Sequence, residues 1–366
     1  MGSTGVETQT AAWLEAPKPG ARLVIRKDIE IPTPGDGEIL VKLEYTGFCH
    51  SDVHSIYGET PMDTDIAGHE GVGRVIKVGP KVPETMLNER VGIRQVRLLS
   101  TVRITTENSR WQYSTCGSCE ICAVNPTVCP NQHNSGRDVR GTFQQYIAAP
   151  AKQVTKIPTQ LKSEIVAPLL CAGLTLYSAI AKAQLNPGDW LVIPGAGGGL
   201  GHLGVQIASK RGYKVIAIDT GEAKRELCLK LGATKFLDFK SDKVEEEVKR
   251  LTNGFGVHAC IVTAGSEAAY AESFKLVRNL GTLVCVGLPR LDFDLPISPF
   301  MMVVRGLHVV GSSVGTDKEM EELLDMAVKG DVVPQIAVFD FEEINNVMEK
   351  LARYEIGGRV VLKIPQ

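Results

Sequence analysis

Strands and helices alternate over residues 172–312, and the alternation begins at a glycine-rich loop. The run "WLVIPG" predicts a buried strand, and "LGHLGVQIASKRG" predicts a helix that ends near Gly212. "KVIAID" and "GEAKRELCLKLG" repeat this pattern, and "HACIVTAG" and "GTLVCVG" add two more strands. Strands that are joined by helices lie parallel in one sheet. We therefore predict a doubly wound α/β domain over residues 172–312.

The flanking sequence follows a different pattern. Residues 21–165 hold short β-like runs, "ARLVIRKDIEI", "EILVKLEYTGF" and "GVGRVIKVG", which are broken by Pro and Gly and indicate an all-β, barrel-like unit. After residue 312, Thr316 and Glu319 form a capping-box pattern that predicts a helix, and "GGRVVLKI" returns to strand. We predict two domains: one over 1–171 and 313–366, and one over 172–312.

Composition excludes several classes of function. The 366 residues are 43% apolar and carry 40 basic against 42 acidic side chains, a net charge of −2. This balance argues against a nucleic-acid partner or a membrane-surface patch. No apolar run reaches the roughly 18 residues of a spanning helix, and "MGSTGVETQT" has no pattern of a secretory signal. We therefore expect a cytoplasmic protein with no membrane partner.

Four cysteines lie within fourteen positions in the spacing C-x2-C-x2-C-x6-C: Cys116, Cys119, Cys122 and Cys129. In a cytoplasmic protein, clustered thiols favour metal binding over disulfides. Four thiolates close the tetrahedral shell of zinc and leave no position for a substrate. We predict a structural zinc site that holds a small lobe; the alternative is a set of reduced or redox-active thiols.

A second possible metal set comes from three distant segments. "GFCHSDVH" supplies Cys49, "AGHEG" supplies His69, and "PLLCAGLT" supplies Cys171. Two thiolates and one imidazole with an open fourth position are typical of a catalytic zinc. An adjacent carboxylate, Asp52 or Glu70, suits a partner that orients the ligands. Taken singly, Cys171 could be a buried apolar residue and His69 a hydrogen-bonded core residue.

The glycine-rich loop predicts a nucleotide site. Its glycines allow a tight turn and a close approach to a pyrophosphate, and the helix that follows supplies amide donors. Asp219 ends the next strand, where a carboxylate accepts hydrogen bonds from ribose hydroxyls and repels a 2′-phosphate. This favours NAD over NADP, although the basic Lys224 and Arg225 keep NADP open. A phosphate loop for another nucleotide is the alternative. The loop candidates are Gly197, Gly198, Gly199, Leu200 and Gly201.

Together these motifs resemble the zinc-dependent medium-chain alcohol dehydrogenases, most closely the yeast-type NAD-linked branch. "CHSDVH", "GHEG", "CGSCEIC", "APLLCAGLTLY", "GAGGGLG", "AID" and "GGRVV" follow the family's order over nearly the whole chain. The resemblance implies a GroES-like β-barrel catalytic domain joined to a Rossmann domain. It also implies NAD, two zinc ions per chain, and interconversion of small-molecule alcohols with aldehydes or ketones.

The resemblance also assigns roles to individual residues. Ser51 matches the hydroxyl that meets the substrate oxygen, and His54 matches the outer end of a proton relay. Glu70 matches a carboxylate behind the catalytic zinc on Cys49, His69 and Cys171. The matches to cofactor contacts are His50 and Arg359 at the pyrophosphate, Thr175 near the nicotinamide, and Gly287 and Leu288 beside the carboxamide. We also predict that Asp219 and Lys224 contact the cofactor.

Three features depart from the family pattern. Ala196 stands where the stricter loop has Gly, and the spacing before Cys129 is one residue short. The largest departure is a sixteen-residue insertion, 95–110, directly before Trp111, a position that lines the substrate pocket in the family. Removing it leaves a continuous family sequence, so we interpret it as a retained intron; the alternative is a genuine surface loop. If translated, it could loosen the pocket or the zinc lobe.

The sequence encodes substrate choice only weakly. Thr60 replaces a bulky aromatic of the yeast-type branch, which predicts a wider pocket and tolerance of alcohols larger than ethanol. The alternatives are a polyol or aromatic-alcohol dehydrogenase, a zinc-stabilised nucleotide sensor, and a product that is catalytically impaired by the insertion. The resemblance implies a homo-oligomer, a tetramer or a dimer, with residues 288–300 at an interface.

Overall fold

A computed structural model describes residues 6–94 and 115–366. The predictions for the insertion at 95–110 and for Trp111 lie outside the described residues.

The chain forms fifteen strands and eleven α-helices within the described residues. The strands are β1 Thr8–Trp13, β2 Val24–Glu30, β3 Glu38–Phe48, β4 Glu70–Val78, β5 Arg90–Ile93, β6 Tyr146–Pro150, β7 Thr155–Lys156, β8 Trp190–Pro194, β9 Lys214–Asp219, β10 Lys235–Asp238, β11 Val257–Val262, β12 Val277–Cys285, β13 His308–Gly311, β14 Ile336–Asp340 and β15 Arg359–Lys363. The helices are α1 His50–Ile56, α2 Glu120–Val124, α3 Ser163–Val166, α4 Ala172–Lys182, α5 Gly201–Lys210, α6 Glu222–Lys230, α7 Val244–Leu251, α8 Glu267–Leu276, α9 Pro299–Arg305, α10 Asp317–Val328 and α11 Ile344–Ala352.

The chain divides into two compact units, and the first boundary between them follows Cys171. The first unit takes residues 1–171, 316–328 and 336–366, and the second takes 172–315 and 329–335. The sequence analysis assigned 313–315 and 329–335 to the first unit. Residues 333 and 335 lie with the second unit because hydrogen bonds from helix α5 hold their backbone.

The first unit is built on a seven-stranded sheet, in the order β14-β15-β3-β4-β5-β7 with β6 paired to β3. All pairs are antiparallel except β14 with β15, which are parallel. Its core is a cluster of buried aliphatic and aromatic side chains that includes Phe48 and Phe143, whose rings meet edge to face at 4.9 Å.

The second unit holds a six-stranded sheet in the order β10-β9-β8-β11-β12-β13. Every neighbouring pair is parallel, as predicted from the strand–helix alternation. The strand order reverses between β8 and β11, and ligands of such sheets bind at the carboxyl ends of strands beside this point. The predicted doubly wound fold is confirmed, although the sequence analysis did not identify the four-residue strands β10 and β13.

Local signals explain several element boundaries. The predicted capping box forms at α10, where Thr316 Oγ1 accepts from the Glu319 N–H and the Glu319 carboxylate accepts from the Thr316 N–H at 2.7 Å. Gly212 follows α5 with φ of +81°, a conformation that glycine adopts without strain.

Among the described residues, no single helix combines the length and apolar composition of a membrane span. The bent pair Ser163–Leu169 and Ala172–Lys182 meets both criteria only when its two members are taken together.

Candidate functional site

The four clustered cysteines converge on one point in the first unit. The four Sγ atoms, those of Cys116, Cys119, Cys122 and Cys129, all lie within 4.8 Å of one another. The Sγ–Sγ separations are 3.5 Å for Cys119–Cys122, 3.8 Å for Cys116–Cys122 and 3.7 Å for Cys116–Cys129. Four sulfurs at 2.3 Å from a tetrahedral zinc stand about 3.8 Å apart. The residues present therefore fit a closed zinc site.

A second group forms in the same unit from Cys49, His69, Glu70 and Cys171, whose possible ligand atoms lie within 4.8 Å of one another. Cys49 precedes helix α1, His69 directly precedes β4, Glu70 begins β4, and Cys171 ends the first segment of the unit. The Nε2 atom of His69 is buried and has no hydrogen-bond partner in the described residues. A buried nitrogen beside two thiols fits a metal ion that accepts its lone pair.

Asp52 sets the orientation of His69. Its Oδ1 accepts from His69 Nδ1 at 2.9 Å and from the Gly68 N–H at 3.2 Å, while its Oδ2 accepts from the Cys49 N–H at 3.0 Å. The proton on Nδ1 fixes the tautomer in which Nε2 keeps its lone pair for a ligand. One buried carboxylate thus orders both the backbone of Cys49 and the imidazole of His69.

Glu70 is held by Arg359, whose guanidinium donates a hydrogen bond to Glu70 Oε1. Both side chains are buried, and a buried charge without its partner costs about 3–5 kcal/mol. Gly47 on the neighbouring strand provides the space, because a Cβ at that position would stand 1.8 Å from Glu70 Oε2. That Oε2 has no hydrogen-bond partner in the described residues. The sequence analysis offered Asp52 or Glu70 as the adjacent carboxylate; both lie at the group.

The electrostatics of this group favour an ionised thiol. A hydrogen bond from Cys171 and the positive charge of Arg359 hold the pKa of the Cys49 thiol well below its ordinary value. Hydrogen bonding to Cys49 and burial raise the pKa of the Cys171 thiol. Burial also raises the pKa of Glu70 to about 7, against the opposing effect of Arg359. A thiolate is the form of cysteine that binds metals.

Ser51, His54 and His50 lie on helix α1, directly after Cys49. The Ser51 Oγ is buried without a hydrogen-bond partner in the described residues, so it is free to meet a bound oxygen atom. His54 pairs through Nδ1 with Glu59, and the ring of His50 stacks on Tyr354 at 4.6 Å. Burial lowers the pKa of His50, so this side chain is mainly neutral near pH 7.

The glycine-rich loop of the second unit runs from the end of β8 to the start of α5. Gly195 has φ of +81°, and a Cβ on Gly201 would stand 2.2 Å from the Gly195 carbonyl oxygen. Ala196 is buried. It is not one of the described non-glycine residues whose φ is positive, so its backbone conformation accommodates an alanine side chain. The N–H groups of Gly199, Leu200 and Gly201 have no acceptor among the described residues. They form a set of three unpaired donors at a helix N-terminus, which suits an anion.

Asp219 ends β9 beside this loop. Its carboxylate accepts from the Gly197 N–H at 2.9 Å, the Thr220 N–H at 2.9 Å and Lys224 Nζ at 2.7 Å. Asp219 is buried, whereas the Lys224 side chain is 43% exposed. These three hydrogen bonds fix the Asp219 carboxylate in place. The carboxylate also neutralises the positive charge of Lys224, the cation with which it is paired.

The remaining predicted contacts also belong to the second unit. Thr175 is buried on α4, and Leu288 is exposed. Gly287 follows β12, where its N–H donates to the Val262 carbonyl at 2.8 Å and its carbonyl accepts from the Tyr270 hydroxyl at 2.6 Å. A Cβ on Gly287 would stand 2.6 Å from the Ala264 carbonyl oxygen, so this position requires glycine.

Comparison with protein families matches both units. Residues 35–159 match the alcohol dehydrogenase GroES-like domain, and residues 199–329 match the zinc-binding dehydrogenase domain. An alcohol dehydrogenase of Geobacillus stearothermophilus is 40% identical over 346 residues, which cover 93% of this chain and 95% of that protein. An alcohol dehydrogenase of Schizosaccharomyces pombe is 38% identical, over 92% of this chain and 93% of that protein.

Solved structures agree with this result. The alcohol dehydrogenase of the hyperthermophilic archaeon Aeropyrum pernix superposes with a TM-score of 0.83 at 30% identity, covering 97% of this chain and 100% of that chain. The acetophenone reductase of Geotrichum candidum, solved in complex with NAD, gives a TM-score of 0.82 at 28% identity, covering 98% of this chain and 97% of that chain.

Proposed function

Because the chain belongs to the zinc-containing alcohol dehydrogenase family, we propose that it interconverts alcohols and aldehydes or ketones with NAD and two zinc ions per chain. The observation that carries the proposal is the group of Cys49, His69 and Cys171, with the lone pair of His69 Nε2 left for a metal. The closed set of four cysteines is proposed to hold the second zinc, with a structural role.

The bound cofactors would supply two kinds of chemistry: zinc acts as a Lewis acid that lowers the pKa of an alcohol hydroxyl, and nicotinamide accepts a hydride. The chain contributes the rest. Asp52 keeps His69 in the ligating tautomer, and Ser51 offers a buried hydroxyl to the substrate oxygen. His54 is proposed to pass the proton to solvent, with its Nδ1 held by Glu59.

A panel assay tests this function. Purified protein is incubated with NAD and primary, secondary and aromatic alcohols, and NADH absorbance is followed with and without a zinc chelator. We expect chelator-sensitive turnover, with activity maintained or rising beyond ethanol because Thr60 is smaller than an aromatic side chain. Turnover that persists after all zinc is removed would contradict the metal assignment. Activity that falls steadily with chain length would contradict the wide pocket, and a polyol or an aromatic alcohol as the best substrate would select the alternative.

We expect a preference for NAD over NADP of at least about a hundredfold in kcat/KM, since a 2′-phosphate beside the Asp219 carboxylate costs several kcal/mol. Lys224 is already paired with that carboxylate and offers little compensation. Asp219→Ser should reduce the ratio to within about tenfold of unity, as steady-state kinetics with both cofactors will show. Glu222→Gln removes an exposed carboxylate nearby and serves as the control. Equal use of both cofactors by the unmodified protein would contradict this assignment.

We further propose that the chain forms homo-oligomers through the second unit. Strand β13 is an end strand of its sheet, and the apolar side chains of Leu291, Phe300 and Val303 are 73%, 72% and 83% exposed. An apolar surface of this kind marks an interaction site. Light scattering after gel filtration should report a dimer or a tetramer, and Val303→Glu should shift it toward the monomer. A monomer at micromolar concentration would overturn the proposal.

A further inference from the structure

His202 is a fully buried histidine in the first turn of α5, directly after the glycine-rich loop. Its Nδ1 lies 2.9 Å from the Gly198 carbonyl oxygen, and its Nε2 lies 3.1 Å from the backbone nitrogen of Gln335. The two ring nitrogens therefore bridge the loop and the segment 329–335.

The partners of the ring determine its tautomer. The backbone N–H of Gln335 can only donate, so Nε2 of His202 must carry a lone pair and accept. The ring proton then lies on Nδ1 and is donated to the Gly198 carbonyl. The imidazole is neutral in this arrangement, and it directs one hydrogen bond to the loop.

That hydrogen bond fixes the plane of a peptide in the loop. The Gly198 carbonyl also accepts from the His202 backbone N–H at 3.2 Å, so two donors hold it toward the helix. The Gly198–Gly199 peptide is trans, and in a trans peptide the C=O and N–H bonds point in opposite directions. The Gly199 N–H is therefore directed away from His202, and it is one of the three donors at the start of α5 with no acceptor in the described residues.

Gln206, one turn further along α5, secures the segment on which His202 depends. Its Oε1 accepts from the Val333 N–H at 2.9 Å, and its Nε2 donates to the Val333 carbonyl at 3.1 Å. This amide pair holds the backbone near Gln335, which keeps the donor for His202 Nε2 in place.

We propose that His202 is a positioning residue for the cofactor: its neutral imidazole, oriented by the Gln335 N–H, holds the Gly198–Gly199 peptide so that the Gly199 N–H faces the pyrophosphate. The inference rests on the proposed function, in which this loop binds NAD. Sequence reasoning did not find the role because the second partner of His202 is a backbone group 133 positions away.

Two substitutions of His202 in the full-length, zinc-loaded protein test the proposal. His202→Leu removes both ring hydrogen bonds at similar volume. His202→Asn keeps an amide N–H near the place of Nδ1 but does not reach Gln335. NADH binding is measured by fluorescence titration. We expect His202→Leu to raise the Kd for NADH about fivefold to tenfold, the effect of one lost hydrogen bond, and His202→Asn to restore it to within about twofold. The KM for alcohol, measured at saturating NAD, should stay the same in variants whose Kd for NADH changes.

Thr252→Val is the matched control, because it removes the hydrogen bonds that a buried hydroxyl of the same unit makes with Val248 and Gly256, without touching Gly198 or the segment 329–335. We expect it to lower the thermal midpoint while the Kd for NADH stays within about twofold of the parent value. The proposal is overturned if Thr252→Val weakens NADH binding as much as His202→Leu does, or if His202→Leu binds NADH as tightly as the parent protein. No saturable NADH binding by the parent protein would instead overturn the proposed function.

Discussion

Replacement of Cys49 by serine is expected to lower kcat/KM for alcohol oxidation by at least about a thousandfold. A catalytic metal supplies several kcal/mol of charge stabilisation, and each 1.4 kcal/mol is a factor of ten in rate. Serine leaves a hydroxyl where the group offers an ionisable thiol beside Arg359, and a neutral hydroxyl is a poor zinc ligand. Steady-state kinetics together with zinc analysis by atomic absorption measure the effect. Zinc content should fall from two per chain toward one.

The expected loss is specific to the metal group. Cys228→Ala removes a buried thiol of the second unit that belongs to neither cysteine group, and it should keep two zinc ions and most of the activity. NADH should still bind to Cys49→Ser, since the glycine-rich loop and Asp219 belong to the other unit. Full turnover by a zinc-loaded Cys49→Ser protein would show that the ligand set is wrong.

Asp52 provides a graded version of the same test. Asp52→Asn preserves the shape of the side chain but replaces an acceptor of the His69 Nδ1 proton and of the Cys49 N–H. Changes to partners of this kind cost about 10- to 100-fold in metal affinity or activity. We expect a loss in that range, smaller than the loss for Cys49→Ser.

The sequence predicted features that depend on neighbours in the chain. The four clustered cysteines are separated by two to six residues, so their spacing alone was enough to predict that they bind one metal ion. The parallel sheet followed in the same way from the alternation of strands and helices. The short strands β10 and β13 were not found because four residues carry too little periodicity to distinguish a strand from a loop.

Features that depend on distant partners were harder to predict from the residues. Cys49, His69 and Cys171 were grouped by their residue types and by the resemblance, while the residue types left the choice between Asp52 and Glu70 open. In the structure both carboxylates contribute, because Asp52 lies one turn along α1 from Cys49 and Glu70 faces Arg359, which is 289 positions away. No pattern near Glu70 indicates that partner. The segment 329–335 likewise joins the second unit through contacts with α5 that its own sequence does not indicate.

The structural cysteines should have the largest effect on stability. Their lobe has very little core of its own: α2 is five residues long, and Val124 on it is 88% exposed. We therefore expect zinc binding by the four thiolates to provide most of what holds the lobe, since structural zinc contributes about 10–16 kcal/mol in small zinc-finger peptides. Cys122→Ser removes one of the four thiols, the one that lies on α2 and is buried. We expect it to retain about one zinc per chain and to lower the thermal midpoint by about 10 °C or more, since 1 kcal/mol shifts the midpoint by about 2–4 °C in a domain of this size.

Limited proteolysis distinguishes a local effect from global unfolding. If the lobe alone loses its structure, cleavage of Cys122→Ser should concentrate between residues 115 and 135, while NADH binding by the second unit persists. Val124→Ser is the matched control, because it changes an exposed side chain of the same helix and should leave both the midpoint and the zinc content unchanged. A Cys122→Ser protein with two zinc ions and the parent midpoint would mean that these thiols hold no metal. The lobe would then need another source of stability, which its short helix and exposed apolar side chains do not provide.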